Sequence, residues 1–227
     1  MNASLCHRAL AALLSYPGSE LIAHAGELRA VFAADKRLGS AERIALDTLI
    51  AHLLETDLLE LQGEYVDTFD RGRAASLNLF EHVHGDSRER GQAMVDLLAM
   101  YRQHELDLAV ADLPDYLPVY LEFVSLLDEK EGRTQLLDVE HLLERIGATL
   151  TYRASPYAAV FEALLALTGE RQPQRRLRKA AGTAVEEDRT PEAIDAAWVD
   201  EPVDFLGACA PTAGKQEQPI RFERRTA

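Results

Sequence analysis

Cysteine is scarce in this chain: Cys6 and Cys209 are the two among 227 residues. A disulfide framework is thereby excluded, and no Cys/His spacing matches a zinc site. Positive charge is short as well, with 24 Lys and Arg against 38 Asp and Glu and a formal net charge of −14. Such a chain lacks the basic face that phosphate backbones require, which excludes nucleic acid as a partner. An anionic membrane surface is disfavoured for the same reason, whereas a basic peptide is attracted. Long apolar runs are missing too. None approaches the ~20 residues of a membrane span, so no stable membrane insertion is expected. The N-terminal MNASLCHRALAALLSYPGSE has one arginine before its apolar run and acids soon after. It reads as an amphipathic helix, not a signal peptide, and the expected location is the cytoplasm. Also absent are the G-x-x-x-x-G-K-[ST] phosphate loop, the G-x-G-x-x-G turn and the G-x-S-x-G elbow, and no serine or cysteine has an evident base partner. The expectation is no enzyme, no cofactor and no metal.

What the sequence does have is apolar residues at helical spacing. They make up part of a 47% hydrophobic content, enough for one sizeable core. Leu5, Ala9, Leu10, Leu13 and Leu14 form one stripe, with Ser4 as a candidate N-cap and Pro17-Gly18 as its end. Leu46, Leu49, Ile50, Leu53 and Leu54 form another, opened by Ser40. Asp57-Leu58-Leu59-Glu60 reads as a capping box for the next helix, and Asp86 with Glu89 as a second. Leu77, Phe80 and His84 share one helical face, and a helix beyond them buries Met94, Leu97 and Tyr101. Asp115 and Pro118 start a further helix; proline is tolerated in a first turn because its missing N–H has no partner there. Two more follow at about 136–150 and 156–168, and a short one at about 191–198. Period-two alternation is lacking, so the expected fold class is all-α, with about nine to eleven helices and no sheet.

The charge divides the chain. Residues 1–169 hold 27 acids and 14 Lys or Arg, and residues 170–227 hold 11 and 10. The helical domain is therefore expected over 1–169. Residues 170–190 (RQPQRRLRKAAGTAVEEDR within them) read as a charged linker or exposed helix. Residues 191–206 read as a short helical element, and 207–227 as a disordered tail.

One stretch is densest in chemistry: FDRGRAASLNLFEHVHGDSRERGQAMVDL, residues 69–97. His82 and His84 would stand about 200° apart on a helix, so they do not share an ion there. Arg71, Arg73, Arg88 and Arg90 alternate with Asp70, Asp86 and Glu89, a pattern suited to internal ion pairs holding loops. Tyr65, Phe69, Leu77, Phe80 and Met94 are candidates to line an apolar groove for a partner helix.

YVDTFDRGRAASLNLFEHVHGDSRERGQAMVDL, residues 65–97, resembles the signature of the NarJ-type respiratory nitrate reductase assembly chaperones, the delta-subunit proteins within the TorD-like redox-enzyme maturation group. LPDYLPVYLEF at 113–123 resembles that family's second block, and TPEAIDAAWVDEPVDF at 190–205 its C-terminal block. The resemblance implies a non-enzymatic chaperone. It would bind the N-terminal segment of the apo catalytic (alpha) subunit of respiratory nitrate reductase and hold it for molybdenum cofactor insertion and membrane assembly. Molybdenum cofactor biosynthesis proteins are further partners it implies. Carried onto this chain, the peptide would contact Tyr65, Phe69, Asp70, Leu77, Phe80, His82, His84, Asp86, Asp115, Tyr116 and Tyr120. Related export-signal chaperones carry histidine where this chain has Tyr116. Two alternatives remain open: an assembly chaperone of a different molybdoenzyme, and a metal-dependent hydrolase using His82, His84 and Asp86.

Overall fold

A computed structural model describes residues 3–85, 87–108 and 112–183, with the side chains of Ala3, Ser4 and Arg88 left out. These residues form eleven α-helices and no strand, so the fold is all-α as the periodicity predicts. The predicted helix at 191–198 and the third sequence block lie outside the described residues.

α1 (Ala3–Leu14) packs against α7 (Leu117–Leu126). Its stripe Leu10, Leu13 and Leu14 is fully buried. Ser4 lies inside α1 instead of capping it. α2 (Ser19–Ala34) pairs with α3 (Ser40–Glu55), whose N-cap is Gly39, with Ser40 already helical. α4 (Leu58–Tyr65) opens on Asp57, whose carboxylate accepts from the Leu59 amide at 2.9 Å, one residue earlier than a capping box would place it.

α8 (Glu129–Asp138), α9 (Glu140–Tyr152) and α10 (Ala158–Thr168) complete the core. α10 is apolar on nearly every side and buried at every position but the half-buried Ala158 and Glu162, as suits a central helix. It contacts α3, α8 and α9. Its end is closed by Gly169 at φ 102°, where Gly169 N–H donates to Ala166 O and Glu170 N–H to Leu165 O. α8 was not legible as a separate helix, because it buries little beyond Gly132 and Leu136. The basic stretch after residue 170 forms α11 (Pro173–Ala181), which packs on α9 through buried Pro173, Leu177 and Ala181. Those three are spaced four apart, one narrow apolar stripe under a charged face. Arg176 ties the same face to Glu140 (2.8 Å) and Glu144 (2.7 Å).

Candidate functional site

The signature stretch departs from the predicted helix over 77–84. Only Glu81–His84 is helical, as the single turn α5, and α6 (Arg88–Gln103) follows from Ser87. Residues 77–79 instead run alongside 115–117. Leu79 N–H donates to Asp115 O (2.9 Å), Leu117 N–H to Leu77 O (2.8 Å), and Asn78 bridges Tyr116 in antiparallel sense. The backbone groups that a helix would have satisfied internally are satisfied across these two segments.

Asp115 holds that junction. It is fully buried and does not cap α7. Its Oδ2 accepts from Phe80 N–H (3.1 Å) and lies 3.7 Å from the Arg90 guanidinium, which also reaches Glu81 (3.3 Å). Burial pushes the Asp115 carboxyl above its ordinary range, and the Phe80 N–H and Arg90 pull against that shift. His82 Nε2 donates to Ser76 O (2.8 Å), and Arg145 donates to the His82 carbonyl (3.2 Å). His84 sits 3.6 Å from Glu89 and edge-on to Phe80. Among the described residues no group of three or more His, Cys, Asp or Glu is placed to hold a metal ion. Asp86 lies outside the described residues.

The expected apolar groove is not open. Tyr65, Phe69 and Leu77 are buried core residues, and Phe80 and Met94 are half-buried. Tyr120 is buried likewise, its hydroxyl donating to Gln135. The cause is local. After α4 the chain widens into a π-turn over Val66–Asp70, with Arg71 N–H donating to Val66 O. Such one-turn widenings recur at functional sites. This one places Phe69 against Tyr65 (4.8 Å between rings) and Tyr157 (5.0 Å), and the aromatic rings fill the space themselves.

The outer edge of that aromatic cluster does reach solvent. Tyr16 is 52% exposed and stands edge-on to Tyr65 at 5.5 Å. Tyr65 OH lies 2.8 Å from Leu14 O and 2.9 Å from Tyr116 OH, and Tyr116 is half-buried. The exposed carboxylates Asp70 and Asp112 both act on Tyr116 at this edge, and Leu113, next to Asp112 in the chain, is exposed. Burial pushes the Tyr116 hydroxyl up, and the charges of Asp112 and Asp70 push the same way while Tyr65 opposes. Asp67 is paired with Arg71 (3.0 Å). Asp70 has no cationic partner among the described residues, and burial raises its carboxyl above the usual range. The result is a ledge with an aromatic floor and an acidic rim.

Of the sequence candidates, the structure brings Tyr65, Phe69, Asp70 and Tyr116 to this ledge. It places Leu77, Phe80, His82 and Asp115 in the neighbouring junction, and Tyr120 in the core. Tyr16, Tyr157 and Asp112 were not legible as site residues. Tyr16 reads only as the breaker Tyr-Pro-Gly, and Tyr157 as a helix start.

The fold, taken with comparisons, defines the class. A solved protein from Archaeoglobus fulgidus assigned to redox enzyme maturation superposes with a TM-score of 0.51 at 20% identity, over 75% of this chain and 96% of that one. That likeness is one of fold. Residues 35–163 match the nitrate reductase delta subunit family. The chain is 43% identical over 194 residues to the nitrate reductase molybdenum cofactor assembly chaperone NarJ of Escherichia coli (strain K12), covering 86% of this chain and 82% of that protein. It is 46% identical over 155 residues to NarW of the same strain, 68% of this chain and 67% of that protein. The chain belongs to the nitrate reductase delta subunit family.

Proposed function

We propose that the protein is a non-catalytic cytoplasmic chaperone for a respiratory nitrate reductase. It holds the N-terminal segment of the unassembled catalytic subunit while the molybdenum cofactor is inserted. Family membership supports the chaperone role. No helix among the described residues is long and apolar enough to cross a membrane, which is consistent with action off the membrane. The observation that carries the choice of binding face is Asp70: an exposed carboxylate without a cationic partner among the described residues, at the rim of an aromatic ledge. An amphipathic basic segment fits it, with apolar side chains against Tyr16 and Leu113 and cations toward Asp70 and Asp112. The buried residues of the signature keep this ledge in shape without touching the guest.

The test is titration of a synthetic client N-terminal peptide into the protein. Tyr16→Ala and the pair Asp70→Asn/Asp112→Asn are each expected to weaken binding about tenfold, or about 1.4 kcal/mol, with the fold intact because all three side chains are exposed. A cation favours the ionised carboxylate, so the complex lowers a value that burial had raised. Affinity is therefore full above the Asp70 value of the free protein and falls as pH drops through it, and Asp70→Asn loses that part of the slope. Unchanged affinity in both variants contradicts this placement.

A further inference from the structure

We propose that a second site, an arginine-lined cleft separate from the aromatic ledge, binds a small molecule bearing phosphate groups. None of its lining residues belongs to the aromatic ledge, and the proposal does not rest on the reading above. One cleft, of 460 Å³, lies between the loop joining α2 to α3, the helix α8 and the end of α10. A second, of 340 Å³, lies between the first turns of α3 and α11. They share Glu42 and Arg171, so they adjoin. Each has the size of a small-molecule pocket, a range of about 300–1,000 Å³.

Their joint lining holds five arginines, Arg37, Arg133, Arg171, Arg175 and Arg178. Against these stand Glu42, Glu129 and Glu170. Asp35 meets the charge of Arg37, so the cationic character rests on Arg171, Arg175 and Arg178, which form no ion pair among the described residues, and such a cluster is out of character for a chain of net charge −14. Several of the arginines are held in position. Asp35 fixes Arg37 through two side-chain contacts, at 2.9 and 2.5 Å, and the Thr168 carbonyl accepts from Arg133 Nε at 2.9 Å. Glu170 is already engaged by Gln172 N–H (2.8 Å) and by Arg176 (3.5 Å). Arg171 is exposed and has no anionic partner among the described residues. The first turn of α11, nine residues long with no side-chain cap, turns the Gln174 and Arg175 N–H groups, which have no intrahelical acceptor, to the second cleft; Pro173 has no N–H and that of Arg176 is taken by Gln172 O. Planar guanidinium forks fixed at several angles suit a multiply charged phosphate group better than a single carboxylate. Preorganisation lowers the cost of holding it.

The experiment is isothermal titration of the full chain with inorganic pyrophosphate at low ionic strength. Saturable one-site binding is expected, weakened at least about tenfold in Arg171→Glu/Arg175→Glu. Both side chains are exposed, so the variant folds, and its affinity for the client peptide stays at the wild-type value. Absence of saturable binding overturns the proposal, as does equal affinity in the double variant. So does binding of a glutamate-rich peptide that pyrophosphate fails to displace, which would make the cleft a protein-docking surface.

Discussion

At the scale of single residues, the chemistry-rich stretch and the segment it pairs with at 115–117 divide into groups that support and groups that face outward. Asp115 supports. Replacing it with alanine leaves Phe80 N–H without its acceptor and Arg90 with Glu81 alone, in a site closed to water. A loss of about 2–4 kcal/mol in unfolding free energy is expected, read by chemical denaturation. The pH dependence has a definite sign. Burial raises the folded-state value of Asp115 above that of the unfolded chain. Its contribution is then fully present below the unfolded value and is lost as pH rises through the folded one. Wild type should lose stability relative to Asp115→Asn across that interval, and a difference that stays constant or moves the other way contradicts the assignment. His82 is a second supporting residue. A carbonyl only accepts, so its Nε2 carries the proton given to Ser76 O.

At the scale of elements, most helices were legible in the sequence, α8 excepted, and backbone departures were not. The stripes of α1, α3 and α9 repeat at helical spacing, so their buried faces could be read directly, and α10 is apolar almost all round. Residues 77–84 satisfy the same spacing, yet Leu77 and Leu79 pair with Leu117 and Asp115, 40 and 36 positions further along the chain. Periodicity reports which side chains want burial, and carries no information on a distant segment that competes for the backbone hydrogen bonds. The π-turn at Val66–Asp70 has no composition signature either, and it is what turns the expected groove into a filled aromatic cluster. Asp57 was legible as a cap because capping is local. Element packing also yields a sharp test at Gly147 on α9. A Cβ there would lie 2.8 Å from Phe161 Cβ and 3.0 Å from both Leu177 methyl groups. The first of those atoms belongs to a rigid position on the central helix. Gly147→Ala should cost about 1–3 kcal/mol, measured by thermal or denaturant unfolding. Neutrality would show that α11 is free to move off α9.

At the scale of the whole molecule, charge is distributed with purpose. Acids exceed bases by 38 to 24, yet five arginines gather where α3, α8, α10 and α11 meet, while the exposed carboxylates Asp70 and Asp112, without an ion pair among the described residues, rim the aromatic ledge. On the proposed function, a basic client segment is steered to the second region and away from the first. The overall charge could be read from composition, but the separation could not, because it depends on which helices the fold brings together. The most direct test of the central claim is backbone amide hydrogen exchange of the full chain with and without the client N-terminal peptide. The account predicts new protection around Tyr16, across Gln62–Arg71 and across Asp112–Leu117, with Gly39–Arg43 and Gly169–Arg178 unaffected. Protection confined to the arginine cleft, with the ledge unchanged, would contradict it.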